Sequence, residues 1–317
     1  MRRSETEAPL RWAEKKSTLG FLGVSLAVAL WGFSAVAVKA VSTTGAVTAF
    51  YRLWFAIPIL WVLLLSAPRL RASLGREWLF GSLAGGLLFA THQLFFFTAV
   101  KFTSIANVTM VGALQPVLVL LVAARLFAEP ASWRVIIASV IAVVGTSLVV
   151  WGSLGASSSR GFGDVLAVGN LFAFTGYFLV SKRVRQGVGA TEYVVGMTTV
   201  AGVFMGCACL FLGEDFGSPS QTDLLVIATL ALFPGTLGHV LVNWAHAHVS
   251  ALRISMVLLA TPVVASASAS VFLGESLTAV QWLGFGIVLS SIGVVVFSRE
   301  PSEAESLAEG VAGTEAP

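Results

Sequence analysis

Long apolar stretches alternate with short charged segments along almost the whole chain. Ten stretches between charged residues carry no charge. A helix needs about 20 mostly apolar residues to cross a bilayer, and most of these stretches reach that length. Strands of a membrane barrel alternate over about 10 residues, a pattern that is missing here. The sequence therefore predicts ten transmembrane helices, spans 1–10, in residues 17–38, 53–68, 78–100, 102–124, 135–159, 165–181, 193–213, 224–252, 254–274 and 276–298.

Composition supports a membrane protein. The 317 residues are 56% hydrophobic and 11% charged, whereas soluble domains carry about 25% charged residues. Such a chain cannot cover a globule with polar surface, so we expect the lipid bilayer as its partner. The net charge of +3 could suggest nucleic acid. The basic residues instead follow the sides of the membrane, so we expect no nucleic-acid partner.

The distribution of lysine and arginine predicts the orientation. With the N-terminus in the cytoplasm, fourteen basic residues fall on the cytoplasmic side. The opposite side has three, Lys39, Lys101 and Arg160. Positive charge favours the cytoplasmic side of membrane proteins. We therefore expect a multi-pass protein of the cell (inner) membrane with both termini cytoplasmic and with span 1 uncleaved.

Two segments repeat one pattern, "GALQPVLVLLVAARLFAEP" (112–130) and "LLATPVVASASASVFLGES" (258–276). Pro116 precedes Glu129, and Pro262 precedes Glu275, by the same thirteen residues. Spans 1–5 and 6–10 thus read as two copies of one unit. Because five is odd, the second copy enters the membrane from the opposite side, as in the inverted repeats of many transporters.

The predicted fold is an all-α membrane protein of two inverted five-helix repeats. Residues 1–18 form a cytoplasmic segment, 19–152 the first repeat and 162–298 the second. Residues 299–317, rich in glutamate, alanine and glycine, are expected to be a disordered acidic tail.

The segments "QPVLVLLVAARLFAEPASW" and "TPVVASASASVFLGESLTAVQWLGFGIVLSSIGVVVF" resemble the two EamA-type repeats of the drug/metabolite transporter superfamily. The resemblance covers roughly residues 19–298, and the plan is similar to that of the YddG-type amino-acid exporters. It implies export of small metabolites, amino acids or drugs through a central cavity between the halves. Some relatives couple to protons through a carboxylate in the first helix, and span 1 has none.

His92 is the first candidate for the cavity, because "THQ" interrupts an apolar span. The imidazole could bind or titrate with substrate. Alternatively, it is a buried histidine bonded to a neighbour. His239 is its near counterpart in span 8, and a functional role is less favoured there.

Other polar and aromatic residues at membrane depth complete the candidate site. Polar groups at depth face protein or a water cavity, although each could equally join helices. The aromatic residues could hold an apolar side chain, although such residues also anchor spans or face lipid. The predicted substrate-binding residues are His92, Gln93, Phe96, Gln115, Trp31, Ser34, Tyr177, Asn243, Trp244 and Thr261.

Several residues are assigned structural roles. The paired prolines either free carbonyls for a ligand or only kink their helices. Arg52 could receive a carboxylate, but snorkelling to external headgroups is favoured.

His246 and His248 are expected to be solvated in a cytoplasmic turn. Glu129 and Glu275 are expected to cap the helices that follow, and Cys207 and Cys209, two apart, to form no mutual disulfide. Close helix packing is expected at Gly81-x-x-x-Gly85 and Gly202-x-x-x-Gly206.

A carrier fits these features better than an enzyme or a channel. Neither the P-loop motif nor H-E-x-x-H occurs in the sequence, nor a charge ring or filter loop. We expect no catalytic residue, no cofactor and no metal. We expect a monomeric secondary transporter that moves a small molecule, such as an amino acid, by alternating access around a central cavity. Spans 1, 3, 4 and 6, 8, 9 should line that cavity; a multidrug or other metabolite exporter is the alternative.

Overall fold

The structure, a computed structural model, describes residues 3–68, 74–103, 105–127, 132–151, 161–217, 219–273 and 277–297. These described residues are almost entirely helical and contain no strand. In chain order the elements are α1 (Arg3–Ala40), α2 (Gly45–Ser66), α3 (Arg76–Phe102), α4 (Ile105–Gly112), α5 (Gln115–Phe127), α6 (Trp133–Trp151), α7 (Phe162–Val184), α8 (Ala190–Phe211), α9 (Gln221–Leu230), a π segment (Ala231–Gly238), α10 (His239–Ala245), α11 (Ala251–Leu258), α12 (Thr261–Leu273) and α13 (Ala279–Phe297).

The described residues include eight helical stretches that are long and apolar enough to cross a membrane. They correspond to predicted spans 1–3 and 6–10. Span 4 is divided into α4 and α5, and span 5 lies in α6, which is apolar over Trp133–Leu148. The all-helical class is thus confirmed, and the eight qualifying stretches fall short of the ten that were predicted.

Two spans are interrupted at the repeated prolines. The first breaks at residues 113–114, between α4 and α5, and the second at residues 259–260, between α11 and α12. Pro116 and Pro262 each occupy the second position of the new helix. A proline donates no backbone hydrogen bond and suits the first turn of a helix. Each proline therefore follows a two-residue interruption of the helix, where the regular hydrogen-bond pattern is lost.

Span 8 contains a π segment between α9 and α10. Pro234 lies inside it and removes one N–H from the helical ladder. The Thr236 hydroxyl donates to the Ala231 carbonyl at 2.9 Å, which satisfies one carbonyl of the widened turn. Such π segments are frequent at functional sites.

The two halves of the chain share their buried core. One apolar cluster joins Val24 to Met256, and a second joins Leu53 to Met197. Each pair takes one residue from 19–152 and one from 162–298, so neither half buries its apolar surface alone.

Glycines bring helices of opposite halves together. A Cβ on Gly81 of α3 would lie 2.7 Å from the Val184 side chain, and one on Gly85 would lie 1.9 Å from the Tyr193 hydroxyl. A Cβ on Gly202 of α8 would lie 2.6 Å from Ile57. The predicted close packing at the G-x-x-x-G motifs is confirmed, and it occurs within one chain.

Apolar side chains also cover the outside of the bundle. Phe211 is 91% exposed and Phe297 86% exposed, as expected where lipid rather than water is the solvent. Glu129, Glu275 and the acidic tail lie outside the described residues.

Candidate functional site

A cavity of about 140 Å³ lies between the two halves of the chain. Its lining comes from the six spans predicted to surround it and from α2. Seven of the ten predicted residues lie in this lining: Trp31, Ser34, His92, Gln93, Phe96, Gln115 and Thr261.

His92 is bonded to the opposite half of the chain. Its Nδ1 atom lies 2.5 Å from Oδ1 of Asn170 on α7. An amide oxygen only accepts, so Nδ1 carries the proton and Nε2 remains an acceptor. The ring is 9% exposed and its centroid lies 4.7 Å from that of Phe174. His92 therefore lines the cavity and is also hydrogen-bonded to a neighbouring side chain, so the two interpretations do not exclude each other.

The favoured interpretation of Arg52, snorkelling to headgroups, is wrong. The side chain is 4% exposed and lines the cavity. Its Nη1 donates to Oε1 of Gln93, and its Nε donates to the Leu230 carbonyl at 3.4 Å. The reason is local: the Thr44 hydroxyl accepts from the Val47 amide, so α2 begins at Gly45. Arg52 consequently lies about 10 Å into the helix.

The π segment supplies a carbonyl to a second cavity residue. Trp31 Nε1 donates to the Pro234 carbonyl at 3.0 Å. A Cβ on Gly238 would lie 2.7 Å from the same nitrogen, so the absent side chain of Gly238 makes room for the indole. The carbonyl of Leu230, the last residue of α9, likewise accepts a hydrogen bond from Arg52. Carbonyls in and next to the irregular part of span 8 thus position one side chain of span 1, Trp31, and one of α2, Arg52.

Three predicted residues, Tyr177, Asn243 and Trp244, lie outside the cavity lining. Asn243 Nδ2 donates to the Tyr177 hydroxyl at 2.9 Å, and that hydroxyl lies 3.3 Å from Nδ1 of His239, which does line the cavity. Asn243 lies one turn beyond His239. Trp244 follows on another face of the helix and packs its ring on His248, with centroids 4.6 Å apart. Tyr177 and Asn243 therefore support the wall behind the cavity.

The two helix breaks face the cavity. Gln115 begins α5 and Thr261 begins α12, and both line the cavity. Gly112 and Leu258, four residues before the prolines, also line it, and their carbonyls lose the N–H that a non-proline residue would offer. Among the described residues, Nε2 of Gln115 is buried without a hydrogen-bond partner. The breaks thus leave unused polar groups beside an apolar wall.

The prediction that His246 is solvated is wrong. Its ring is 2% exposed and packs on Phe178, with centroids 4.5 Å apart. Burial and the positive charges of Lys182 and Arg185 hold its pKa well below the usual value, so it is neutral at neutral pH. His248 is half-buried, and burial lowers its pKa too.

The lining of the cavity is mostly apolar and carries a few polar side chains. Aromatic faces alternate with amides, hydroxyls and imidazoles. Among the described lining residues, Arg52 is the one side chain with a fixed charge. The part of the chain that the structure describes holds no group of three or more metal-ligating side chains. Such a surface offers apolar contact with a few orienting hydrogen bonds.

Sequence reasoning left Arg52 and Asn170 outside the predicted site, although signals existed. "TTGAV" (43–47) marks the start of α2 and so places Arg52 deep in the helix. Proline followed by glycine at 234–235, inside an apolar run, indicates a helix irregularity. Nothing in the sequence pairs Asn170 with His92, because that contact depends on how the halves dock.

A bundle of apolar helices around a cavity between two halves, with interrupted helices at the cavity wall, is the architecture of a membrane transporter. The model of the EamA-like transporter family matches residues 18–151 and 161–298. The chain belongs to this family, and it contains two EamA repeats.

Two individual proteins are similar to the chain. A probable terminal-alkyne amino-acid exporter from Streptantibioticus cattleyicolor is 32% identical over 110 residues. The match covers 35% of this chain and 36% of that exporter, so the chain aligns with about a third of its length. A solved crystal structure is similar with a TM-score of 0.73 at 17% identity, covering 89% of this chain and 97% of the other. That similarity shows the fold.

Proposed function

We propose that this transporter exports small metabolites, with amino acids as the first candidates, by alternating access around the cavity between its halves. The observation that carries the proposal is the cavity of about 140 Å³, because both halves contribute to its wall. A rocking motion of one half against the other would open such a site to each side in turn. The name of the curated relative, a probable amino-acid exporter, supports the substrate class.

The proposed architecture is a set of ten spans in two inverted repeats, 19–152 and 162–298, in the cell membrane. In this arrangement α4 with α5 forms span 4 and α6 forms span 5. The paired breaks before Pro116 and Pro262 support it, because inverted copies would place the two breaks at equal distances from the membrane midplane.

Both termini are proposed to be cytoplasmic. A green fluorescent protein fused after residue 317 is expected to fluoresce in intact bacteria, because it folds in the cytoplasm. A phosphatase fused at the same position is expected to be inactive, since it needs the oxidising side of the membrane. An active phosphatase together with a dark fluorescent fusion would place the C-terminus on the external side and contradict the proposed orientation.

The transport proposal is tested by reconstitution. Proteoliposomes are expected to take up labelled amino acids faster than protein-free vesicles. We expect uptake to continue without a pH gradient, because the described cavity lining includes no carboxylate. Saturable uptake of aromatic or cationic drugs with no amino-acid uptake would favour the multidrug alternative, for which the aromatic lining is suited. No saturable uptake of either class would reject the proposal.

A further inference from the structure

Arg52 carries a positive charge into the protein interior. The side chain is 4% exposed, and an arginine is always protonated in proteins. Its two hydrogen-bond acceptors, the Gln93 side chain and the Leu230 carbonyl, are neutral. Its guanidinium carbon also lies 5.5 Å from the centroid of the Phe97 ring. Neutral partners and an aromatic face solvate a buried cation without cancelling its charge.

The charge of Arg52 is available to the cavity. A guanidinium has five N–H donors in a planar fork, and the contacts to Gln93 and Leu230 use two of them. Arg52 lines the cavity, where it is the one fixed charge among the described lining residues. A cavity with one uncompensated cation attracts an anion, and a carboxylate matches the guanidinium fork with two parallel hydrogen bonds.

Gln115 provides an independent donor at the same cavity. The side chain is 3% exposed, and its Nε2 has no hydrogen-bond partner among the described residues. A buried amide N–H without a partner costs free energy that a ligand oxygen would recover. The backbone break makes Gln115 the first residue of α5, so the amide lies at the positive end of a helix.

The second break adds a matching contribution from the other half. Thr261 lines the cavity and begins α12, which runs for 13 residues. The positive N-termini of α12 and of α5 therefore face the cavity together with the carbonyls of Gly112 and Leu258, which carry the partial negative charge of the preceding helix ends. The guanidinium of Arg52 and the amide of Gln115 are thus the two groups of the cavity wall that favour an anion.

We propose that Arg52 and Gln115 form a carboxylate-binding subsite, so that the substrates are small molecules with a carboxylate next to an apolar group. This inference rests on the proposed transport function and narrows its substrate class. Gln93 is a positioning residue: because arginine cannot accept a hydrogen bond, the Gln93 oxygen must face Arg52 and holds the guanidinium in place. Trp31 and Phe96, on the same cavity, contact the apolar group.

Binding to the purified protein tests the subsite. The probes are leucine, leucinamide, which lacks the carboxylate, and 4-methylpentanoate, which lacks the amine. Calorimetric Kd values for the natural sequence are expected to favour leucine over leucinamide by about tenfold or more. The chain is also expected to bind 4-methylpentanoate. In Arg52→Gln the preference for leucine is expected to fall to about one, with no binding of 4-methylpentanoate.

A matched control and two further variants separate this role from folding. Arg183→Gln makes the same charge change at an exposed position and is expected to leave all three Kd values unchanged. Gln93→Glu is expected to abolish the carboxylate preference, because an internal carboxylate would neutralise Arg52. Gln115→Met removes a donor that has no hydrogen-bond partner in the part of the chain that the structure describes, so it is expected to fold normally and to weaken leucine binding severalfold.

The outcomes distinguish the subsite from the transport function. Equal affinities for leucine and leucinamide, or an unchanged preference in Arg52→Gln, would overturn the subsite even if vesicles transport amino acids. Arg52-dependent binding of 4-methylpentanoate without transport of any amino acid would support the subsite and reject amino-acid export. If Arg52→Gln does not fold, Gln93→Glu and Gln115→Met test the subsite in its place. An unchanged preference for leucine over leucinamide in both variants would overturn the proposal.

Discussion

Gly45→Ala is expected to lower the free energy of unfolding by about 3 kcal/mol, the upper end for overpacking a core site. A Cβ at position 45 would lie 2.5 Å from the carbonyl carbon of Phe97 and from two backbone atoms of Thr98. Those atoms belong to α3 and cannot rotate away as a side chain could. The start of α2 would have to move, and Arg52, two turns further on, would move with it.

The measurement is SDS-induced unfolding in mixed micelles, with the apparent melting temperature in mild detergent as a second readout. Gly293→Ala is the matched control, because a Cβ at that position of α13 meets nothing within 4 Å. This control is expected to be neutral or slightly stabilising, since alanine favours a helix over glycine by about 0.5–1 kcal/mol. Equal stability of the two variants would contradict the packing of α2 against α3.

The bilayer explains why the sequence predicts the spans well. Membrane thickness fixes a length and lipid excludes charge, so two local properties locate a helix such as α3 or α8 without tertiary information. Span 4 shows the limit of this reasoning. Its residues are uncharged and mostly apolar, yet the helix breaks before Pro116, and this composition does not reveal the break. The proline and its copy at Pro262 were visible, but a kink and a break leave the same sequence signal.

Side-chain direction explains why the site was predicted only in part. His92, Gln93 and Gln115 were found because polar groups at membrane depth must face protein or a cavity. The same rule selected Asn243, which points to Tyr177 behind the cavity wall. Depth alone cannot separate these two environments, since the choice depends on how the halves dock.

Arg52 shows a second limit of sequence-based prediction. A charged residue near a predicted span boundary can either reach the lipid headgroups or lie inside the protein. If the helix began near Arg52, the side chain could reach headgroups, as the favoured prediction assumed. Since Thr44 caps the helix, α2 begins at Gly45 and carries the charge inward. An error of two turns in one helix start therefore moves the expected position of the Arg52 charge from the membrane surface to the cavity wall.

His92→Ala is expected to reduce amino-acid uptake by about tenfold at equal protein level. The change removes the proton donor that lies 2.5 Å from Asn170 and leaves that buried amide oxygen unpaired. It also removes Nε2, and the loss of one hydrogen bond from Nε2 to the substrate, worth about 0.5–1.5 kcal/mol, corresponds at its upper end to about tenfold. His248→Ala is the control, because that ring packs on Trp244 outside the cavity lining. Unchanged uptake in His92→Ala would remove His92 from the transport site.

A conservative variant, His92→Asn, distinguishes the roles of the two ring nitrogens, Nδ1 and Nε2. In His92→Asn the amide nitrogen takes a position close to that of Nδ1 and is expected to keep the hydrogen bond to Asn170. It does not replace Nε2, the acceptor left for the cavity. If Nε2 accepts from the substrate, uptake in His92→Asn is expected to stay low with a raised KM. Full recovery would show that His92 acts only by holding Asn170, and the double variant His92→Ala/Asn170→Ala would then be no worse than either single change.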